Sequence, residues 1–389
     1  MAMESTRREI LKGGLAAAGL GVLGVPEWAL PALAQGEELV AFTDIPADFN
    51  TTPSDIVRRL DIRKIDGPFT PKDQFFTTQH YGHPKVDAAT FRLKVSGLVT
   101  KPQALSLDDL KKMGATELRA GFECSGNSGR ALESLAGNGK WTGVPLQKVL
   151  AAAGVKPEGR EVVFFGADKG EEEVEFRTNK FKVEQQYGRS LPKDKALAAE
   201  PFLAWALNGE PLTVHQGFPL RLIVPGWYGV ANVKWLSQIH VQDEQYLGKF
   251  QARWYRTLRA ETIDGEVKYK ETAVTHMRLK SAIARVVKAG GGYKVQGFVL
   301  NDGSAIKSVE VKVDDGPWQA ATMDASTSGD KYSWKLFSYT WNGATKGEHT
   351  LVSRATDASG YVQPTSDDLK DKLTFLEDNA QYPRKLTIS

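Results

Sequence analysis

The chain has 389 residues, of which 41% are hydrophobic and 10% aromatic, and its formal net charge is only +3. This length and apolar content predict two domains with sizeable cores. The small charge, without a run rich in lysine and arginine, argues against nucleic-acid binding as the main activity. Because Cys124 is the only cysteine, the sequence excludes an intramolecular disulfide, a covalently attached c-type haem and any site that needs several cysteine ligands.

The N-terminus has the pattern of an export signal. Residues 5–12 read Ser-Thr-Arg-Arg-Glu-Ile-Leu-Lys, residues 13–25 are mildly apolar and residues 32–34 read Ala-Leu-Ala. This order is typical of a twin-arginine signal peptide over residues 1–34, so we expect cleavage after Ala34 and a periplasmic location. An uncleaved membrane anchor is the alternative, but the run is shorter than the ~20 residues of a span. We expect no membrane span in the mature chain.

The next segments alternate between strand and helix signals. Residues 35–71 predict an irregular arm with one short helix around residues 54–60. Residues 91–97 alternate as a strand, Ser106 is a candidate N-cap with Asp109 three residues later, and a helix is expected from Pro145 to Ala153. Residues 161–167 read as another strand. We therefore predict an α+β protein whose first domain, residues 72–270, mixes helices and strands.

A glycine-rich loop surrounds the single cysteine. Residues 122–130 read Phe-Glu-Cys-Ser-Gly-Asn-Ser-Gly-Arg. Its glycines let backbone amides approach a ligand closely, and a thiolate is the form of cysteine that binds metal. Cys124 is therefore a candidate metal ligand. The alternative is a buried and inert cysteine in the core.

Further along, a dense series of motifs contains two cations. Residues 208–212 read Asn-Gly-Glu-Pro-Leu and predict a tight turn. Residues 216–221 read Gln-Gly-Phe-Pro-Leu-Arg, and residues 232–236 read Asn-Val-Lys-Trp-Leu. Arg221 offers a planar cation and Lys234 a point charge. Taken singly, each could be an ordinary surface cation.

These motifs, with Asn-Gly-Lys-Trp-Thr-Gly-Val-Pro-Leu at residues 138–146, resemble the sulfite oxidase family of molybdopterin oxidoreductases over about residues 71–363. The resemblance implies that Cys124 ligates molybdenum and that each chain binds one molybdopterin. It also implies that Tyr255 lies beside the metal and that Arg130 balances charge there. The positions that match the family's pterin contacts are Phe76, Gln79, His80, Asn179, Gln216, Arg221, Asn232, Val233 and Lys234.

The expected reaction is oxidation of sulfite to sulfate by oxygen-atom transfer. Since the sequence has no haem attachment motif, electrons are expected to pass to a separate c-type cytochrome. Two departures from the family pattern keep other substrates open. Thr78 stands where the family has a substrate-binding arginine, and Gln216 stands where animal sulfite oxidases have histidine. A sulfane dehydrogenase-type catalytic subunit and a sulfoxide reductase are therefore alternatives.

Other interpretations remain open for single residues. His80 alone could be a hydrogen-bonded loop histidine. Arg130 lies one residue later than in many relatives, so a surface salt bridge is its alternative role. By charge alone, Arg177, Arg253 or Arg256 could replace the missing arginine.

From residue 278 the sequence changes to short alternating runs separated by turn signals. This rhythm predicts an immunoglobulin-like β-sandwich over residues 278–389. The resemblance implies that this domain mediates homodimerisation. Without the resemblance, the sandwich would suggest an adhesion or carbohydrate-binding module, and a cofactor-free binding protein is the alternative from a different functional class.

Overall fold

The computed structural model describes Leu33, residues 36–46, Phe49, residues 54–65 and residues 67–389. Apart from Leu33, the expected signal peptide and its cleavage site lie outside the described residues. Within the described part, no helix is long and apolar enough to cross a membrane.

The N-terminal arm is built from short strands that join other parts of the protein. Its elements are β1 (Glu38–Val40), β2 (Val57–Arg58) and a 3-10 turn at Ile62–Lys64. The helix expected around residues 54–60 is wrong, because β2 pairs antiparallel with β3 (Thr77–Thr78). The hydroxyl of Ser54 does accept a hydrogen bond from the Val57 amide, as at a helix start, but the partner strand determines the conformation.

The first domain contains two five-stranded sheets and a separate two-stranded antiparallel sheet formed by its last two strands. Its strands are β4 (Leu93–Gly97), β5 (Gln103–Leu105), β6 (Thr116–Glu123), β7 (Ala136–Pro145), β8 (Glu161–Phe176), β9 (Asn179–Pro192), β10 (Phe202–Leu207), β11 (Glu210–Pro211), β12 (Arg221–Ile223), β13 (Leu236–Gln242), β14 (Arg256–Ile263) and β15 (Glu266–Ala273). Its helices are α1 (Leu107–Lys112), α2 (Leu146–Ala153) and α3 (Lys193–Ala196). One sheet has the order β11-β10-β7-β6, with β12 also paired to β10, and the other has the order β5-β4-β13-β8-β9.

Local signals explain where several of these elements begin and end. Ser106 caps α1 through a reciprocal capping box with Asp109. Helix α2 ends at Gly154, which adopts a left-handed conformation with φ of 68°. Asn208 and Gly209 both have positive φ and connect β10 to β11, as the turn signal predicts. Strands β8 and β9 form one long hairpin, whose outer half is exposed and rich in charge.

The C-terminal part is a β-sandwich. Its elements are β16 (Lys280–Ala289), β17 (Gly292–Leu300), β18 (Ile306–Val313), β19 (Gln319–Ala320), β20 (Thr322–Met323), α4 (Ala325–Ser328), β21 (Lys335–Trp341), β22 (Gly347–Asp357) and β23 (Arg384–Ile388). One sheet has the order β1-β16-β17-β21-β20 and the other β19-β18-β22-β23. The two sheets enclose an apolar core that includes Phe298, Trp334 and Leu351. The predicted α+β fold, with a mixed domain followed by a sandwich, is confirmed.

Short turns complete the chain between the regular elements. They are 3-10 turns at Lys72–Gln74, Gly129–Ala131, Val214–Gln216, Gly229–Ala231 and Asp367–Leu369, and a π-helical turn at Lys249–Arg253. Several of these turns lie next to the cavity described below. The strands of the first domain thus provide a rigid frame, and the connections between them carry the candidate site.

Candidate active site

A cavity lies in the first domain, next to the cysteine loop. Concave sites with both apolar and polar side chains in their lining are typical of small-molecule and cofactor binding. Six of the predicted cofactor contacts line it: Phe76, Gln79, His80, Arg221, Asn232 and Lys234. The candidate metal ligand Cys124 and the candidate catalytic residue Tyr255 also line it. Residues that are up to 179 positions apart in the sequence therefore meet at one site.

Cys124 is the first residue after β6. Its backbone is held by a hydrogen bond from its amide to the carbonyl of Leu135 (2.8 Å) and by one from the Asn127 amide to its own carbonyl (2.9 Å). Burial raises the pKa of the Cys124 thiol. Because the thiolate is the form that binds metal, a bound cation must supply the charge that removes this proton.

A buried ion cluster anchors the cysteine loop to the sandwich domain. Lys280, the first residue of β16, donates hydrogen bonds to the carboxylate of Glu123 (2.9 Å) and to the carbonyl of Asn127 (3.0 Å). Its ammonium group also lies 3.3 Å from the carboxylate of Glu133. Burial opposes the charge on Lys280, but the two carboxylates outweigh burial and raise its pKa. The cluster therefore fixes the residue before Cys124 from a position 157 residues away.

Two cations line the cavity without a carboxylate partner. Arg221 is 4% exposed, and its two terminal nitrogens donate to the backbone carbonyls of Gln216 (2.9 Å) and Asn232 (3.2 Å). Its Nε has no hydrogen-bond partner. Lys234 donates to the carbonyl of Thr78 (3.1 Å) and to Oε1 of Gln79 (3.0 Å). Among the described residues, neither cation forms an ion pair with a carboxylate.

The protonation of these cations reflects their burial. Burial lowers the pKa of Arg221 to about 9 and the pKa of Lys234 to about 7. Aromatic rings provide part of the compensation, since the guanidinium lies 5.1 Å from the Trp141 ring and the ammonium 4.4 Å from the Trp235 ring. Buried cations that lack a counter-charge are costly, and a bound anion such as a phosphate would offset this cost.

His80 and Tyr255 form a hydrogen-bonded pair at another part of the cavity. The Tyr255 hydroxyl lies 2.7 Å from Nε2 of His80. Burial, with smaller contributions from Lys249 and Lys234, lowers the pKa of His80 to about 4. Burial also raises the pKa of Tyr255 well above its usual value. At neutral pH, the pair therefore consists of a neutral imidazole and a protonated phenol that can donate one hydrogen bond.

Comparison with known proteins identifies the family. The model of the oxidoreductase molybdopterin binding domain matches residues 80–250, and the model of the Mo-co oxidoreductase dimerisation domain matches residues 269–386. The chain belongs to the sulfite oxidase family of molybdopterin oxidoreductases. The family assignment made from the sequence is thus confirmed.

Individual relatives support this assignment. The chain is 30% identical to mitochondrial sulfite oxidase of Mus musculus over an alignment of 327 residues. This alignment covers 77% of this chain and 58% of the relative. The chain is 26% identical to sulfite oxidase of Arabidopsis thaliana, over 76% of this chain and 82% of the relative. The match therefore spans less than two thirds of the length of the animal relative. Among solved structures, sulfane dehydrogenase SoxCD from Paracoccus pantotrophus matches with a TM-score of 0.72 and 26% identity, over 97% of this chain and 96% of that chain.

The cavity fits the cofactor that the family binds. Cys124 offers a soft sulfur ligand, and Arg221 and Lys234 offer two buried positive charges to a phosphate group. Nε of Arg221 is a donor that is still free to bind an anion. In this sulfite oxidase family member, the candidate sulfur ligand and the two buried cations thus lie in the lining of one cavity.

The structure also adds residues that sequence reasoning missed. Asp168 lines the cavity next to an irregularity in the pairing of β8 with β9, and one of its carboxylate oxygens has no partner. Burial raises its pKa to about 6. Tyr187 also lines the cavity, and its hydroxyl donates to the carbonyl of Val230 (2.7 Å). The only sequence signal for Asp168 is its position, since it is an acidic residue directly after the strand predicted at residues 161–167.

Two predicted contacts have structural roles outside the cavity lining. The side chain of Gln216 accepts a hydrogen bond from the Thr213 amide (3.0 Å) and donates to the Lys72 carbonyl (2.6 Å). It caps a turn, although its own carbonyl positions Arg221. Val233 is fully buried in the core of the first domain. Asn232 lines the cavity, but its side-chain oxygen accepts a hydrogen bond from the Val224 amide (2.7 Å) and its side-chain nitrogen donates one to the Tyr228 carbonyl (3.0 Å).

Other predicted residues lie away from the cavity. Arg130 is exposed in a 3-10 turn, because the extra residue in its loop moves it past Gly129. Asn179 is exposed at the tip of the β8–β9 hairpin. None of the three arginines considered as substitutes at position 78 lines the cavity either: Arg177, Arg253 and Arg256. The structure therefore does not bring these five side chains to the site.

Proposed function

We propose that the protein is a periplasmic sulfite dehydrogenase. It oxidises sulfite with water to sulfate, two protons and two electrons, and the electrons pass singly to a separate c-type cytochrome. The observation that carries the proposal is one cavity in which the thiol of Cys124, the His80–Tyr255 pair and two cations meet. The cations are Arg221 and Lys234, which form no close ion pair among the described residues.

The residues divide the work between holding the cofactor and orienting the substrate. Cys124 would ligate the molybdenum, and Arg221 and Lys234 would bind the phosphate of molybdopterin. When bound, this cofactor supplies two-electron oxygen-atom transfer, followed by reoxidation in single-electron steps. Tyr255 keeps its proton, because its pKa is raised. With His80 donating from Nε2 to the phenol oxygen, the Tyr255 hydroxyl would be free to donate its own hydrogen bond to a substrate in the cavity.

The neutral imidazole of His80 fixes the position of this phenol. Its ring stacks on the ring of Phe250, with centroids 4.6 Å apart and an angle of 13° between the planes. Because the pKa of His80 is about 4, the ring does not add a positive charge near the metal at neutral pH. The pair is therefore suited to orienting a substrate, and not to transferring a proton from an imidazolium.

Three further features support the location and partners in the proposal. The twin-arginine pattern supports export to the periplasm. The single cysteine, which leaves no Cys-x-x-Cys-His motif, supports an external haem protein as acceptor. The match to a dimerisation domain over residues 269–386 supports a homodimer.

A sulfane dehydrogenase-type subunit or a sulfoxide reductase is the second candidate. It is favoured by Thr78, and by the fact that Arg221 and Lys234 are the only cations among the residues that line the cavity. Both cations are assigned to the phosphate, so no further guanidinium lies in the lining to hold a compact dianion. The likeness to SoxCD along nearly the whole chain points in the same direction.

Sulfite-dependent reduction of ferricyanide by the molybdenum-loaded protein tests the proposal. We expect turnover in the wild type and its loss in Cys124→Ser, together with a loss of bound molybdenum. Arg130→Ala is the matched control, and we expect it to retain activity because Arg130 is exposed. If the protein binds molybdenum but does not oxidise sulfite, the second candidate replaces the proposal. Sulfoxide-dependent oxidation of a reduced viologen dye then tests the sulfoxide reductase activity. A protein without molybdenum after export would support the cofactor-free alternative.

A further inference from the structure

Three residues from separate parts of the chain form a second cluster of potential metal ligands. One carboxylate oxygen of Asp55 and one ring nitrogen each of His83 and His215 lie within 4.8 Å of one another. Asp55 precedes β2 in the N-terminal arm, His83 follows β3, and His215 lies in the 3-10 turn at Val214–Gln216. The two imidazole rings meet edge to face, with centroids 4.4 Å apart.

The cluster has the chemistry of a zinc site. Two imidazoles and one carboxylate, with water as the fourth ligand, make a common tetrahedral set for Zn²⁺. Nδ1 of His215 is buried without a hydrogen-bond partner, and the carboxylate of Asp55 is exposed and forms no ion pair among the described residues. Zinc–ligand bonds of about 2.0–2.2 Å require the ligand atoms to move toward one another by about 1 Å. The Asp55 side chain can move in this way because it is exposed.

The charge around the cluster is also compatible with a metal ion. Burial, with contributions from Lys234 and Arg58, lowers the pKa values of His83 and His215, so both rings are neutral at pH 7 and can act as ligands. These two cations oppose a divalent ion, but the Asp55 carboxylate offsets part of their charge. Lys234 is also engaged by its two oxygen acceptors.

Gln79 connects this cluster to the cofactor cavity. Its amide nitrogen lies 2.7 Å from Nε2 of His83, and its Oε1 accepts the hydrogen bond from Lys234. Its backbone amide donates to the carbonyl of Ile56 (3.2 Å), which lies in the arm beside Asp55. A zinc ion at Nε2 of His83 would replace the contact with Gln79. Metal binding would thus act on the same side chain that holds Lys234.

We propose that Asp55, His83 and His215 bind Zn²⁺ and thereby fasten the arm at residues 54–58 against the strand that lines the cofactor cavity. The arm is also attached there by the two-residue pairing of β2 with β3 and by hydrogen bonds from Gln79 to the backbone carbonyls of Asp55 and Ile56. A metal bond to each of the three segments would cross-link them across 160 residues of sequence, and the free energy of metal binding would then stabilise their contact.

Zinc binding to the full chain loaded with its cofactor tests the site. After removal of metal with a chelator, ZnCl₂ is titrated by calorimetry, and the bound zinc is counted after desalting. We expect one ion per chain in the wild type and in the control His276→Gln, whose histidine lies outside the cluster. Because Cys124→Ser is expected to lose molybdenum, it is compared with the cofactor-free wild type, and we expect one ion per chain in both. We expect affinity to fall at least about tenfold in His83→Gln and in His215→Gln.

Hydrogen exchange tests the fastening of the arm. We expect zinc to slow exchange of the Gln79 amide, which donates to Ile56, in the wild type but not in His215→Gln. Equal zinc affinity in the wild type and in both histidine variants would overturn the site. Loss of zinc in Cys124→Ser alone would overturn it as well, because the thiol would then be the ligand. Zinc bound at the cluster with unchanged exchange would overturn the fastening.

Discussion

Replacing Lys234 by methionine should stabilise the cofactor-free protein while weakening its hold on the cofactor. The ammonium group is buried, has no carboxylate partner among the described residues, and has a pKa lowered to about 7 from 10.5. Because the pKa is lower in the folded than in the unfolded chain, the folded chain binds fewer protons between about pH 7 and pH 10.5. Stability therefore rises with pH across this window and falls as the pH is lowered through it.

The size of the effect follows from this shift. Linkage gives a cost to the folded state of about 4 kcal/mol at pH 7 and about 2 kcal/mol at pH 9. Methionine removes this cost, but it also removes the hydrogen bonds to the Thr78 carbonyl and to Gln79, worth about 1 kcal/mol each. We therefore expect Lys234→Met to be more stable than the wild type by about 2 kcal/mol at pH 7 and roughly equal to it at pH 9.

Urea unfolding of the cofactor-free protein at both pH values provides the measurement. Lys94→Met, at an exposed position on β4, is the control and should show no such difference between pH 7 and pH 9. In the loaded protein, the same substitution at Lys234 should speed the loss of molybdopterin, because the phosphate loses a cation. A stability difference between Lys234→Met and the wild type that is the same at both pH values would refute the reasoning.

Three other substitutions test separate parts of the structure. Tyr255→Phe should lower kcat/KM for sulfite about tenfold to a hundredfold with unchanged molybdenum content, because it removes the hydroxyl next to His80; unchanged kinetics would contradict this role. Lys280→Met should destabilise the protein by about 3–5 kcal/mol in urea unfolding, because it leaves two buried carboxylates without a cation, whereas the exposed Lys307→Met should have little effect. Gly143→Ala should lower the thermal midpoint strongly, because its Cβ would lie 1.9 Å from a backbone oxygen of β10; Gly329→Ala, with open space around it, is the control, and equal midpoints would contradict the packing argument.

The sequence predicted well wherever the determining interaction is local. The capping box at Ser106 uses atoms three residues apart, and the turn at Asn208 and Gly209 depends on the conformations of those two residues alone. The alternating runs after residue 278 likewise reveal a sandwich, because each strand shows its buried face in its own pattern.

The sequence-based expectation and the structure differ where a distant partner decides the outcome. Residues 57 and 58 form a strand because residues 77 and 78 supply a ladder for them. Gln216 is in register with a family position that contacts the pterin, yet its side chain caps a turn and bonds to Lys72. Asn179 lies at the exposed tip of the β8–β9 hairpin, away from the cavity, in agreement with the charge-dense composition of residues 171–182.

By itself, the sequence therefore determined the family, the two-domain α+β architecture and the presence of one candidate thiol ligand together with two candidate cofactor-binding cations. Only the tertiary structure decided that these cations are buried with no ion-paired carboxylate among the described residues, that Asp168 lines the cavity, and that Lys280 fixes the cysteine loop from the other domain. The physical reason is that burial and charge compensation depend on which surfaces meet, and neither is a property of a residue's sequence neighbours.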